Sequence, residues 1–192
     1  NRMTIKRACI LGATGAAGQN IVESLTDHPW FKIDALAASS RSAGKRYGDA
    51  IKEAVFFEKT PGDKVRNMTV LNVDEIDPLN YDLAFTALPS GVAKGLEAKF
   101  AAHIPVFSTA SAYRYEDDVP VLIPDVNPKH IALIDVQRRN RGWKGYIVPG
   151  PNCTTVGLVA TLKPIMDAFG VKRVRMISMQ SLSGAGEKGL RI

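Results

Sequence analysis

The chain has 192 residues, 45% of them hydrophobic, with a formal net charge of +6. This length suits one sizeable domain, or one domain and part of another, and the composition excludes wholesale disorder. The basic residues lie in short scattered groups, such as 137–144, which we expect at solvated helix ends and loops, so nucleic acid is not an expected partner.

Two features of the sequence indicate the cellular compartment. No apolar run approaches the ~20 residues of a membrane span, and the first residues lack a signal-peptide pattern. Cys9 and Cys153 are the two cysteines, which is too few for a disulfide framework. We therefore expect a cytoplasmic protein with no membrane segment and reduced thiols.

Segments typical of strands and helices alternate along the first 151 residues. Strands are predicted over 8–11, 32–39, 65–73, 81–89, 104–110 and 145–151. Helices are predicted over 18–25, where Ile21, Val22 and Leu25 share one face, and over 90–102, where Ser90 is a candidate N-cap. Alternation of this kind predicts βαβ units and an α/β fold with a doubly wound parallel sheet.

The last forty residues have a different pattern. A helix is predicted over 154–169, kinked or bent at Pro164, and a strand over 171–183. That strand has no evident partner in the remaining sequence, so a second sheet is expected to begin here. We therefore expect a nucleotide-binding domain over 1–152 and, over 153–192, the incomplete beginning of a second, α+β domain.

A glycine-rich loop follows the first predicted strand and opens the first helix. Gly12, Gly15 and Gly18 are spaced as GxxGxxG. Glycines allow a tight turn and close approach to a pyrophosphate, which the N–H groups of a helix N-terminus then bind. The loop indicates a dinucleotide site; the alternative is a tight strand-to-helix turn with no ligand.

The end of the second strand bears on which dinucleotide is bound. An NAD site has an acidic residue ~20 residues past the glycine loop. This chain has Ser39, Ser40, Arg41 and Ser42 there, and no carboxylate before Asp49. A guanidinium is suited to a 2′-phosphate, so NADP is favoured over NAD. The alternative is a solvated polar loop.

Cys153 lies in "PGPNCTT", between a strand and the helix of 154–169. The thiolate is the reactive form of cysteine, and a helix N-terminus favours it. Asn152 supplies an amide for a substrate or for the backbone. A cysteine there, after a dinucleotide domain, indicates attack on a carbonyl carbon followed by hydride transfer. The alternative is a buried structural cysteine, the role we expect for Cys9.

Seven motifs in this order resemble one family: "LGATGAAGQ", "ASSRSAGKRYGDA", "ALPSGVA", "FSTASAYR", "LIPDVNP", "GPNCTT" and "MQSLSGAG". They resemble the aspartate-β-semialdehyde dehydrogenases of the archaeal and fungal branch, over essentially all 192 residues. The resemblance implies a Rossmann-like fold and NADPH-dependent reductive dephosphorylation of β-aspartyl phosphate to aspartate semialdehyde. That reaction lies on the route to lysine, threonine, methionine and isoleucine.

The resemblance also implies roles for particular residues. Cys153 corresponds to the catalytic nucleophile, and Gln180 to the glutamine that orients the substrate. Arg114 corresponds to the arginine that binds the substrate phosphate, with Ser111 and Asn152 beside it; the alternative is a surface arginine facing Glu116 or Asp117. The expected cofactor-binding residues are Gly12, Thr14, Gly15, Ala16, Ala17, Ser39, Arg41, Ser42, Leu88, Pro89, Ser90, Gly91, Ser183, Gly184, Ala185 and Gly186.

Two departures from the family qualify these expectations. Thr109 stands where the family often has asparagine. The family's base histidine and second substrate arginine fall beyond the glycine turn at 184–186, so this chain alone is expected to be inactive. The histidines present, His28, His103 and His130, are expected at the surface or at helix ends.

The resemblance implies a homodimer or homotetramer at full length, a small acyl phosphate or aldehyde and phosphate as ligands, and no metal. The alternatives are a malonyl-CoA or succinyl-CoA reductase, more distantly an N-acetylglutamyl-phosphate reductase, and a non-catalytic dinucleotide-binding module.

Overall fold

Parallel strands form the central sheet of the protein, whose computed structural model describes residues 4–182. Within these residues the sheet has six strands in the order β3-β2-β1-β4-β5-β6. They are β1 (Lys6–Leu11), β2 (Phe31–Ala38), β3 (Val70–Asn72), β4 (Leu83–Thr86), β5 (Pro105–Ser108) and β6 (Tyr146–Pro149). Every pairing is parallel, which confirms the predicted doubly wound sheet.

Helices connect the strands and cover both faces of the sheet. They are α1 (Ala16–Leu25), α2 (Tyr47–Ala50), α3 (Asp63–Arg66), α4 (Ser90–Ala101), α5 (Leu133–Arg141) and α6 (Cys153–Phe169). Short 3₁₀ helices form at Pro78–Asn80 and Pro128–Ala132. Within residues 4–182, none of these helices is long and apolar enough to cross a membrane.

The core has two parts, one on each face of the sheet. β1 lies in the middle, so Ala8–Leu11 is buried on both faces. On one face Val22 and Leu25 of α1 pack with Ile10 and Leu36. On the other, Phe100 of α4 packs with Cys9 and Leu11. Because buried parallel strands need both faces covered, they read as continuous apolar runs rather than alternating ones.

Several predicted boundaries are wrong. The first two residues of the strand predicted over 65–73, Val65 and Arg66, lie in α3, which follows the extended N-cap Gly62. The third strand is therefore shorter than predicted. β4 ends at Thr86, three residues before the predicted end, and the next residue, Ala87, lies against Gly12 of the glycine loop. Ser90 is not the N-cap of α4: the cap is Pro89, and the Ser90 hydroxyl bonds Ser111 instead.

The last described segment differs most from expectation. α6 starts at Cys153, one residue earlier than predicted, includes Pro164, and has no buried residue. The strand predicted over 171–183 is not formed: residues 171–182 contain no strand, and Val174, Met176 and Ile177 are exposed. An isolated strand has no ladder to join, and none of the described strands pairs with this segment. The proposed boundary between residues 152 and 153 stays a prediction.

Candidate active site

The loops that carry the predicted site residues before residue 154 leave the same edge of the sheet. Because every strand is parallel, the segments after β1, β2, β4, β5 and β6 emerge at the carboxyl edge. The strand order reverses between β1 and β4, and the crevice outside such a reversal is where ligands bind in open α/β sheets. The predicted residues before 154 therefore lie in the loops, or at the helix starts, around this crevice.

Two of the three loop glycines are required by sterics. Gly12 has φ +82°, and a Cβ there would lie 2.4 Å from the carbonyl oxygen of Ala87. A Cβ on Gly18 would lie 2.0 Å from the carbonyl oxygen of Gly12. A Cβ on Gly15 would meet nothing closer than that same oxygen at 3.7 Å. Gly12 and Gly18 therefore serve packing between β1, β4 and α1, and Gly15 leaves the outer side of the loop open.

The N-terminus of α1 presents free donors at this loop. Gly15 is the N-cap and provides no side-chain bond. The amides of Ala16 and Ala17 have no acceptor among residues 4–182, as the first N–H groups of a helix normally lack one. Thr14 precedes them, and its carbonyl accepts from the Gln19 amide at 3.0 Å. Donors of this kind fit a pyrophosphate.

Two buried side chains that the sequence did not single out hold the glycine loop in place. Gln19 donates to Thr14 and Ala54 and accepts from the amide of Phe56, and it is completely buried. The hydroxyl of Tyr47, also completely buried, donates to the carbonyl of Ala13 at 2.9 Å. Apart from Thr14, their partners lie more than thirty residues away, so the local pattern does not show these bonds.

The loop after β2 carries positive charge. Ser39, Ser40 and Arg41 are exposed, and a turn is closed by the bond from the Ser42 amide to the Ser39 carbonyl at 2.9 Å. Residues 39–46 include no carboxylate. Among the described ion pairs none involves Arg41, so its guanidinium is available to an anion.

The loops after β4 and β5 are joined by two hydroxyls. Leu88 and Pro89 lead into α4, whose first two residues are Ser90 and Gly91. The hydroxyl oxygens of Ser90 and Ser111 lie 2.8 Å apart. The segment predicted to line the cofactor is therefore bonded to the segment predicted to bind substrate.

Arg114 ties the loop after β5 to the loop after β6. Its Nε donates to the carbonyl of Gly150 at 2.8 Å, and Nη2 donates to the carbonyl of Thr109 at 2.9 Å. The alternative of a surface arginine facing Glu116 or Asp117 is wrong: the ion pairs of the described residues include none of Arg114 with either carboxylate, and Glu116 pairs with Lys94 and Arg141. The Thr109 hydroxyl lies 3.2 Å from the carbonyl of Thr86, to which it donates.

Cys153 is the first residue of α6 and is exposed. Asn152 is the N-cap, and its side chain accepts from the amide of Thr154 at 3.0 Å. The Nε2 of Gln180 lies 3.5 Å from the Cys153 sulfur, so the two residues expected to be catalytic are in contact. The bond is long for nitrogen and oxygen but within range for a sulfur acceptor.

The other cysteine has the opposite environment. Cys9 is completely buried in β1, where burial raises the pKa of its thiol to about 12. Its sulfur lies 3.6 Å from the carbonyl of Leu83. Both cysteines are free. The expected contrast between an inert core thiol and an accessible one is confirmed.

The other predicted residues are the glycine turn at 184–186 with Ser183 and the three histidines. Ser183, Gly184, Ala185 and Gly186 lie outside the described residues. His28, His103 and His130 lie just after α1, just after α4 and in a 3₁₀ helix, and His103 and His130 are exposed. Within residues 4–182 no three histidine, cysteine or acidic side chains are grouped to hold a metal ion.

A doubly wound sheet with a glycine loop at the reversal of strand order defines a dinucleotide-binding domain. The chain belongs to the family described as semialdehyde dehydrogenase, NAD binding domain, whose family model matches residues 7–134.

The similarity to known proteins extends beyond residues 7–134. An aspartate-semialdehyde dehydrogenase of Archaeoglobus fulgidus is 50% identical over 94% of the chain. A malonyl CoA reductase (NADP) of Metallosphaera sedula is 40% identical over 98%. The crystal structure of aspartate semialdehyde dehydrogenase with NADP from Candida albicans superposes with a TM-score of 0.76 at 39% identity, covering 88% of this chain and 48% of that one. The chain spans about half the length of these relatives: 52% of each of the first two.

Proposed function

We propose that the protein of which this chain forms the nucleotide-binding part reduces β-aspartyl phosphate to aspartate semialdehyde with NADPH, through a thioester on Cys153. The observation that carries the proposal is the contact of Gln180 with the Cys153 sulfur at the head of α6. An exposed thiol beside an amide donor, at the edge of a dinucleotide-binding sheet, suits covalent attack on an acyl group. The relatives named aspartate-semialdehyde dehydrogenase support the choice of substrate.

The residues present fit NADP. Free amides of Ala16 and Ala17 would hold the pyrophosphate, and Gly15 leaves room for it. Arg41, with Ser39 and Ser42, would hold the 2′-phosphate. Leu88–Gly91 would line the cofactor further along. When bound, NADPH supplies the hydride that reduces the acyl group.

The substrate side of the crevice is formed by Ser111, Arg114 and Asn152. Arg114 uses Nε and Nη2 on the backbone, which leaves Nη1 to bind a phosphate group while the guanidinium is held in one orientation. Ser111 is exposed beside it. A preorganised cation of this kind stabilises the charge of an acyl phosphate and of the departing phosphate.

The proposed reaction proceeds through a thioester on Cys153. The Cys153 thiolate forms a C–S bond to the acyl carbon as the C–O bond to phosphate breaks, and phosphate leaves. After reduction, the thiohemiacetal collapses: its C–S bond breaks, the aldehyde leaves and the thiolate returns. Gln180 donates a hydrogen bond near the sulfur and orients the acyl group. By resemblance, a histidine beyond residue 192 handles the protons.

The test uses a polypeptide that carries this chain and the family's second half. The rate of NADPH formation from aspartate semialdehyde, NADP and phosphate is measured for Cys153→Ser and for Cys9→Ala as the matched control. We expect Cys153→Ser to abolish turnover while NADPH binding survives, and Cys9→Ala to keep activity, because its thiol lies in the core. Turnover by Cys153→Ser would overturn the proposal.

A reductase acting on an acyl-CoA is the second candidate, because the malonyl CoA reductase relative matches nearly all of the chain. Both activities would use the same cysteine and differ in the leaving group. Offering an acyl phosphate and an acyl-CoA to the same protein separates them. Nucleotide binding without turnover of either would favour a non-catalytic module. A homodimer or homotetramer is proposed from the resemblance; its test is the molar mass of the longer polypeptide in solution, measured by light scattering, which should be two or four times the mass of one chain.

A further inference from the structure

A buried carboxyl group lies beneath the carboxyl ends of β4 and β5. Glu97 of α4 is completely buried. Its Oε1 accepts hydrogen bonds from the hydroxyls of Thr86, at 2.5 Å, and Ser108, at 2.6 Å. Its Oε2 is buried with no hydrogen-bond partner among the described residues. Thr86 and Ser108 end their strands and pair with each other in the sheet.

A carboxyl group is costly at this position. An uncompensated polar oxygen in the core loses its hydration, and an apolar side chain of similar size would avoid that cost. Burial raises the pKa of the Glu97 carboxyl, while the hydroxyls of Ser108 and Thr86 act in the opposite direction. Glu97 provides one acceptor oxygen for the hydroxyls of Thr86 and Ser108, and an apolar side chain would provide none.

Ser108 connects this carboxyl group to the loops of the crevice. Besides donating to Glu97, the Ser108 hydroxyl accepts from the amide of Ala110 at 3.0 Å. The Ser108 carbonyl accepts from the amide of Gly150 at 2.8 Å. Both loops anchored by Ser108 are the loops that Arg114 bridges, through Thr109 and Gly150.

We infer that Glu97 is a positioning residue: by fixing the hydroxyl of Ser108, it sets the loops that carry Arg114 and Cys153 without contacting substrate. The inference rests on the proposed function for what these loops bind, but the hydrogen-bond chain itself does not depend on it. Glu97→Gln keeps an oxygen acceptor for both hydroxyls. Glu97→Met keeps the volume but removes the acceptor, and Ser108→Ala removes the shared hydroxyl.

The first measurement is native-state amide hydrogen exchange on the 192-residue chain. We expect Glu97→Met to lower the protection of the Ala110 and Gly150 amides about tenfold or more relative to the β1–β2 amides. Glu97→Gln should restore most of it. Ser108→Ala removes the hydroxyl that accepts from Ala110 and keeps the carbonyl that accepts from Gly150, so it should reproduce the loss at Ala110. Phe100→Leu changes an equally buried residue on the same helix, and it should not lower the protection of the Ala110 and Gly150 amides more than that of other amides. Uniform loss in Glu97→Met, matching Phe100→Leu, would overturn the inference.

The second measurement uses the longer, active polypeptide. Glu97→Met should raise the KM for the phosphorylated substrate about tenfold or more, with NADPH affinity little changed, and Glu97→Gln should recover it. A matching loss of NADPH affinity would contradict a role confined to these loops. If the wild type reduces no acyl phosphate, the proposed function fails, while the exchange result still decides the role of Glu97.

Discussion

Replacing Gly12 by alanine should damage the fold itself, before any effect on ligand binding. The added Cβ would meet the Ala87 carbonyl oxygen at 2.4 Å, whereas real contacts of this kind begin near 3.0 Å. Ala87 cannot simply move away, because its amide donates to the carbonyl of Leu11 at 2.8 Å. The substitution therefore forces apart the ends of β1 and β4, the two strands that flank the crevice.

Two costs add at this position. A residue with a Cβ in the left-handed region costs about 1–2 kcal/mol, and Gly12 has φ +82°. Overpacking against backbone costs about 1–3 kcal/mol. The sum is about 2–5 kcal/mol, and at about 2–4 °C per kcal/mol for a chain of this size the melting midpoint should fall by about 4–20 °C.

Gly15→Ala is the matched control in the same loop. Its Cβ would have ordinary contacts, and Gly15 has φ −77°, so only about 1 kcal/mol or less of capping energy is at stake. Thermal melts of both variants, followed by circular dichroism, test the argument. Gly15→Ala should melt near the wild type but bind NADPH more weakly. An unchanged midpoint in Gly12→Ala, or a fall in the Gly15→Ala midpoint as large as that in Gly12→Ala, would refute the reasoning.

Three further predictions follow from exposure and charge. In the native chain a thiol reagent should label Cys153 rapidly and Cys9 only after unfolding, as peptide mass mapping would show; equal labelling would contradict the buried position of Cys9. Arg41→Ala should weaken NADPH binding about tenfold or more and leave NADH binding unchanged, measured by nucleotide fluorescence. Arg141→Met should destabilise the fold by about 1–3 kcal/mol at neutral pH, because Arg141 bonds the largely buried Asp118. Hydrogen bonds from Arg141 hold the pKa of Asp118 below its usual value, so this difference should be complete above about pH 4 and shrink as pH falls further, which denaturant unfolding across pH would measure.

The sheet was predictable because its signals are local. Each buried strand is an apolar run broken by glycine, proline or a polar turn, and the alternation with helices implies parallel pairing. The ends were less predictable. Ala87, just after β4, lies against the glycine loop. α3 replaces the start of the predicted third strand, and residues 68–70 bond the backbone of residues 44–47 as well as β2, which are contacts that the local pattern does not show.

The segment after α6 shows the limit of periodicity. Residues 171–182 alternate as a strand does, yet they form none, because a strand exists only through pairing and the described residues contain no partner for them. Alternation indicates which side chains would share a face. It does not supply the neighbouring strand.

The sequence by itself determined the order of the elements, the glycine loop and the residues that reach the carboxyl edge, because these follow from local patterns and from the geometry of parallel strands. It also marked Cys153 and, through family resemblance, Gln180 as partners. Only the tertiary structure decided that Arg114 bonds two loop carbonyls, and that Glu97 reaches Ser108 from beneath the sheet. Such contacts depend on how helices and loops pack once the strands are in order, and a local sequence pattern does not show that packing.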